Sequence, residues 1–309
     1  MSEPTAPHVP AMATARRQAL RRHLMNEITR SARRPKRTPV LVGATGALAA
    51  VIAVIAAATI VLPGVPESAP LVVPVQQAEP AAATTLLNAM AAAVVENPEP
   101  GDGRYVYIRS LGAHAELGGG PARLRPVRER EIWIPRYEPG DGLLRQPFVE
   151  LPVIGVIPER VTLTDMMPNA TVVDMPGDPD ELLAKLYRER ASRGHGNSRD
   201  GAAFTAIGDI LRESLVPPQT SAALYRAAAR IPGVELIRQV TDAAGRRGTA
   251  VAYTELDRRD EWIFDERTYA YLGSRSYLVA DTADGPAGTV LATTAVLQRA
   301  VVPRLGQRP

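Results

Sequence analysis

The sequence predicts one transmembrane helix followed by an exported α+β domain, in which an antiparallel sheet packs on helices. Three observations predict it. Residues 40–62 run for 23 positions without a charge. Residues 178–231 carry apolar side chains at helical spacing, broken by proline and glycine. From Val234 onward, short β-branched and aromatic runs alternate with turn residues.

The chain divides into a basic tail (1–39), the span (40–62), a proline-rich linker (63–80) and the exported domain (81–309). The first twelve residues hold three prolines and little apolar content, which predicts disorder. In residues 14–32, Leu20, Leu24 and Ile28 fall on one helical face among Arg and Asn. That face is a candidate docking surface for a cytoplasmic regulatory protein or for the membrane surface. The bland alternative is a juxtamembrane helix that does neither.

As a helix, residues 40–62 would be about 34 Å long, against a hydrocarbon core of about 30 Å. The hydroxyls of Thr45 and Thr59 can bond back to their own helix. A buried core helix would keep polar positions on one side, and this segment does not. A cleaved signal peptide has a shorter apolar core, and the best cleavage point, after Ala69, is followed by Pro70. An uncleaved signal anchor fits best. Gly43 and Ala47, like Gly46 and Ala50, are small residues four apart, a spacing that permits helix pairing.

Charge sets the orientation. The tail carries nine Lys or Arg and two acids, and residues 63–100 carry no Lys or Arg. The positive-inside rule therefore puts the N-terminus in the cytoplasm and the C-terminal domain outside the cell membrane. The formal charge of +3 conceals a tail of +7 and a remainder of −4. The basic excess lies beside the bilayer, so its expected partner is anionic lipid headgroups rather than nucleic acid. There are no cysteines. Thiolate zinc sites, thiol nucleophiles, thioether-linked haem and cysteine lipidation are thereby excluded.

Within the domain, residues 81–95 read as a helix with Leu86 or Leu87, Met90 and Val94 on one side, stopped by Pro98. RYVYIRS and VREREIWIP read as strands, the second with Glu129 and Glu131 opposite Arg130 and Ile132. The turns EPGDGR and EPGDGL offer one Glu and one Asp each, too few oxygens for calcium. Residues 144–176 read as an irregular insertion covering one side of the sheet. Three helices follow. Asp178 and Glu181 give the first a capping box, Phe204, Ile207, Leu211 and Leu215 stripe the second, and Gly233 caps the third. Beyond them, four to six antiparallel strands form a meander.

Taken together, LLNAMAAAVV, RYVYIRS, REIWIP, DELLAKLYRE and above all RRDEWIFDERTYAYLGSR resemble a family of uncharacterised actinobacterial single-pass membrane proteins. Members are commonly encoded beside extracytoplasmic-function sigma factors. The resemblance implies a surface or signalling role and supplies no catalytic residue. The C-terminal run is also similar to exported half-barrel domains that bind lipids or lipoproteins, which implies a curved sheet around helices with an apolar pocket.

No catalytic motif is legible. His8 and His23 lie in the tail, and His114 and His195 in glycine-flanked loops without metal spacing. There is no G-x-S-x-G elbow, P-loop or G-x-G-x-x-G. Asp257, Asp260, Glu261, Asp265 and Glu266 alternate with arginines, as in a solvated hairpin, and Asp265 suits a turn. Trp133 and Trp262 are either sheet packing or an aromatic lining for an apolar ligand. No cofactor and no metal is expected. The reading is a non-enzymatic membrane-anchored surface protein, a sensor or partner in sigma-factor-linked signalling. The alternatives are a lipid- or lipoprotein-binding module and, last, a hydrolase.

Overall fold

The computed structural model describes residues 71–309 apart from 118–119, 147–148, 152–154, 158–159, 167–174 and 192–197. The tail with Leu20, Leu24 and Ile28, the segment 40–62 and residues 63–70 lie outside the described residues. Among the described residues, no helix is long and apolar enough to cross a membrane.

The architecture is α+β. Helix α1 (Pro80–Val94) precedes strands β1 (Tyr105–Glu116), β2 (Arg123–Leu124), β3 (Arg128–Pro135), β4 (Gly140–Arg145), β5 (Val149–Leu151), β6 (Gly155–Ile157) and β7 (Arg160–Met166). Helices α2 (Pro179–Ala191), α3 (Arg199–Glu213) and α4 (Pro218–Ala228) follow. Strands β8 (Val234–Thr241), β9 (Arg247–Glu255), β10 (Arg258–Phe264), β11 (Tyr271–Leu278) and β12 (Val290–Val302) end the chain.

The large sheet runs β7-β4-β3-β1-β12-β11-β10-β9-β8, with β2 on β1 and β5–β6 as a separate pair. The C-terminal meander has the expected form, five antiparallel strands. Residues Tyr271–Leu278 form one strand, β11, with a bulge opposite Ile263 and Phe264. The insertion at 144–176 contributes β7, which extends the sheet beyond β4. The pairing of β1 with β12, from Tyr105 opposite Val302 to His114 opposite Ala292, joins the two halves of the sheet.

Helix boundaries follow local chemistry. The Asp178 carboxylate accepts from the backbone N–H of Asp180 and of Glu181 at the start of α2. Ser198 Oγ accepts from Gly201 N–H at the start of α3. Gly233, at φ +83°, takes the left-handed conformation that ends the α4 segment.

Strand alternation sorts the sheet into two buried faces. Val106, Ile108, Ile132, Ile134, Trp262 and Phe264 join the helices in the main core. The other face holds Ile237, Ala250, Ala252 and Ile263 at one side and Tyr107, Trp133, Leu143 and Val302 at the other. Among the described residues no helix covers this outer face, and the two ends of the described chain dock on it instead. Residues 71–79, the described part of the stretch read as a linker, dock on the sheet as a strap. Leu71 O accepts from Val290 N–H, Val73 N–H donates to Gly288 O, and Glu79 exchanges backbone bonds with Leu236. Gln76 O accepts from Arg259 Nη1 at 2.9 Å.

At the other end, Trp133 Nε1 donates to Gln307 O at 2.5 Å. Arg308 forks onto both oxygens of Glu131, at 2.7 and 2.6 Å. Glu131 is 5 % exposed and also accepts from the Tyr107 hydroxyl at 2.6 Å. Hydrogen bonds from Arg308, against the cost of burial, hold its carboxyl below the usual range. A carboxyl depressed in the folded state contributes stability above its ordinary pKa, here 4.5, and loses it as pH falls through the folded value. Arg308→Ala should therefore lower the melting temperature at pH 7 and narrow the gap between pH 7 and acid. Melts that fall in parallel for both proteins would contradict this.

Candidate binding groove

Helix α1 carries two apolar stripes. Ala83, Leu87, Met90 and Ala91 are buried against the core. Ala82, Thr85, Leu86 and Ala89, one helical face away, line an open groove of about 540 Å³. The sequence left Leu86 and Leu87 interchangeable, and the structure assigns Leu87 to the core and Leu86 to the groove.

Buried Leu236 and Phe264 also line the groove. The side chain of Phe264 is held edge-on by Tyr225 and Tyr271, with ring centroids at 5.9 and 5.6 Å. Tyr269 forms one wall from a backbone at φ +56°, a conformation that side chains rarely adopt. The Asp265 turn imposes it. The Asp265 carboxylate accepts from Thr268 N–H, Thr268 Oγ1 and Arg267 N–H, and its carbonyl accepts from Tyr269 N–H. These bonds, those of Thr268 first, hold its carboxyl below the usual range. The rim is polar. Glu266 Oε1 accepts from Thr249 Oγ1 at 3.1 Å, and Arg238 forks onto Glu79 at 2.8 and 3.1 Å. An apolar floor with a few polar groups at the rim suits reversible binding of an apolar side chain or chain end.

The two tryptophans do not come together. Trp262 lies on the helix side, 3 % exposed, stacked on Phe204 at 3.8 Å and 11°. Trp133 lies on the outer face, fully buried, 5.1 Å from Tyr107. Neither lines the groove.

A second cleft, of about 360 Å³, lies between the end of α1, the α3–α4 connection and β12. Its arginine, Arg299, donates to the carbonyls of Leu211 and Arg212 near the end of α3 and stands over the Tyr271 ring. That use is structural, a cation at a helix C-terminus.

The charged hairpin departs from expectation at Arg259 and Glu261, both buried. Arg258 and Asp260 pair near solvent, as predicted. Glu261 is fully buried on the outer face beneath the strap. Both Arg275 nitrogens that reach it, Nε at 2.9 Å and Nη2 at 2.8 Å, bind the same oxygen, Oε2. Burial, opposed by Arg275 and Arg259, leaves the Glu261 carboxyl above its usual range. Arg259 joins the cluster through Thr254 Oγ1 at 3.0 Å, the Tyr277 hydroxyl at 3.3 Å and Glu235 at 3.6 Å. The cluster is closed under residues 71–79, and its geometry anchors the strap.

His114 is exposed on β1, and His195 lies outside the described residues. Among the described residues, no group of three or more His, Cys, Asp or Glu could hold a metal ion.

No protein-family model matches the chain, and no curated protein does. Among solved structures, the complex of Pseudomonas aeruginosa MucA/MucB is similar over 74% of this chain at 17% identity, with a TM-score of 0.25. The match spans 58% of that chain's length. The dehydratase domain from the CurK module of curacin polyketide synthase is similar over 71% of this chain and 82% of its own, at 14% identity and a TM-score of 0.13. Likenesses at these scores carry no functional argument.

Proposed function

We propose that this protein is a membrane-anchored, non-enzymatic surface module. Its outer domain binds a ligand or protein in the α1 groove, and its cytoplasmic tail contacts a regulatory protein through Leu20, Leu24 and Ile28. The family resemblance points that tail toward sigma-factor-linked signalling. The observation that carries the reading is the groove. The α1 face of Ala82, Thr85, Leu86 and Ala89 is left open over a rigid floor that includes Phe264.

The alternative is a lipid- or lipoprotein-binding half-barrel. What favours it is an open antiparallel sheet with helices on one face. The Phe204–Trp262 stack fills space between α3 and the sheet, so a lipid chain would use the same α1 groove.

One variant tests both readings. Ala89 is exposed and lines the groove, so Ala89→Trp should fill it without disturbing the core. Full-length protein purified from its native host's membranes should carry a co-purifying molecule, identified by mass spectrometry, that Ala89→Trp reduces about tenfold at unchanged melting temperature. A protein or peptide supports the first reading and a lipid the second. An identical set of co-purifying species on both proteins would contradict a binding groove. In parallel, charging Leu20, Leu24 and Ile28 should abolish capture of a sigma factor by the tail, and no capture by the unaltered tail would count against the signalling role.

A further inference from the structure

Among the described residues, five of the eight exposed large apolar side chains gather at one end of the sheet, the other three being Val75, Tyr137 and Leu305. Leu71, Val72, Leu117, Val127 and Leu256 are each at least 43 % exposed, and all belong to one end of the sheet. Backbone bonds tie their segments together. Asp257 O, beside Leu256, accepts from Val279 N–H at the end of β11, and Leu71 O accepts from Val290 N–H at the start of β12. Ala122 N–H donates to Asp284 O, joining the β1–β2 connection to the β11–β12 turn. Gly112 opposite Arg128 sets Val127 at the same end. The other end is marked by Tyr105 opposite Pro135 and Val302.

Leu256 stands out. It is 91 % exposed at the tip of the β9–β10 hairpin, with φ +55°. A two-residue hairpin turn asks for a positive φ and favours Asn, Asp or Gly there. Leucine in that position sacrifices local stability and buries nothing in return, so the domain's own packing does not explain it.

The route of the chain explains it. Residue 71 enters the domain at this end, and only eight residues separate it from Leu62, the last residue of the expected span. Eight residues reach at most about 29 Å. We infer that this end of the sheet is a bilayer-contacting rim, with Leu256 and its apolar neighbours seated in the headgroup region of the outer leaflet. The inference rests on the membrane-anchored reading and adds which surface of the domain meets the lipid. Of the arginines at this rim, Arg125 and Arg258 are paired with Glu116 and Asp260, while Arg123 and Arg128 are exposed beside the apolar side chains, so salt dependence separates apolar from ionic contact. Contact at this rim would hold the α1 groove at a fixed attitude to the membrane.

The chain has no cysteine, so single labels are clean. Full-length protein carrying an environment-sensitive fluorophore on L256C, L117C or Y137C is reconstituted in phosphatidylcholine vesicles containing a nitroxide-bearing lipid. Tyr137 is 60 % exposed and follows Pro135 at the far end, so it serves as the control. Labels at 256 and 117 should be quenched about threefold more than at 137, as expected for a surface seated about 5–10 Å into the interface. The difference should persist in about 0.5 M salt, which screens charge but not apolar burial. Leu256→Asp should lower the quenching at 117 without lowering the melting temperature, since Asp suits this turn position better than Leu. Protein that co-floats with vesicles but quenches equally at all three positions overturns the rim while leaving the anchor intact. Protein that does not co-float overturns both.

Discussion

Replacing Arg275 by methionine should destabilise the domain by about 3–5 kcal/mol, because it strands a buried carboxylate. Glu261 is fully buried, and Arg275 is 8 % exposed. Removing the guanidinium leaves Arg259 as the nearby cation, and Arg259 is committed to Thr254, Tyr277 and the Gln76 carbonyl. The cost should depend on pH in a stated direction. A carboxyl whose folded pKa lies above its unfolded value binds the proton more readily in the folded state. Its protonation stabilises the fold as pH falls from the folded pKa toward the ordinary value of 4.5. The single variant should therefore recover part of its loss on mild acidification. The double variant Glu261→Leu, Arg275→Met should recover most of it at pH 7, since it removes both charges together. Urea denaturation followed by tryptophan fluorescence measures this, because both tryptophans are buried. A single variant within about 1 kcal/mol of the parent would contradict the assignment of this pair as a buried one.

Trp262→Ala should cost about 3–5 kcal/mol, as large-to-small changes at fully packed aromatic sites do. The indole is clasped between the sheet and α3, stacked on Phe204, with Phe204 also 5.6 Å from Tyr253. Gly208 of α3 lies against the same indole, and a Cβ built there would overlap Nε1. The two sites should therefore couple with a change of sign. In the parent, Gly208→Ala should destabilise, because the indole blocks the methyl group. In the Trp262→Ala background the methyl group has room, and helix propensity should make the same change stabilising by about 1 kcal/mol. Additive effects of the two substitutions would rule out the contact.

Much of the local structure was legible in the sequence. The meander after Val234, the capping residues of α2 and the Gly233 stop follow from period, turn chemistry and caps, which are properties of neighbouring residues. The seam between β1 and β12 was not, since it joins residues nearly two hundred positions apart and no local signal encodes it. The same seam explains the tryptophans. Parity within a strand shows that Trp133 faces with Glu131, but only the register across the sheet shows that it lies opposite to Trp262. The charged hairpin misled at Glu261 because alternating acids and arginines look alike whether water or a strap covers them. Proline in residues 63–80 read as an extended spacer standing clear of the domain, whereas residues 71–79 dock on it through backbone bonds that composition does not encode. The groove was hidden because α1 is apolar on two adjacent faces, so periodicity could not separate Leu86 from Leu87.

These results bear on how the domain is handled. A fragment beginning at residue 81 would remove the strap and leave Arg259 without the Gln76 carbonyl and Arg238 without Glu79. A tag after Pro309 adjoins the docked Gln307 and Arg308. Residue 137 disturbs neither. The most direct test of the account uses single cysteines at Ser2 and Tyr137 of the full chain in intact cells, with a membrane-impermeant maleimide. The account predicts that position 137 labels in intact cells and that position 2 labels only after lysis. Labelling of position 2 in intact cells, or of position 137 only after lysis, would contradict it.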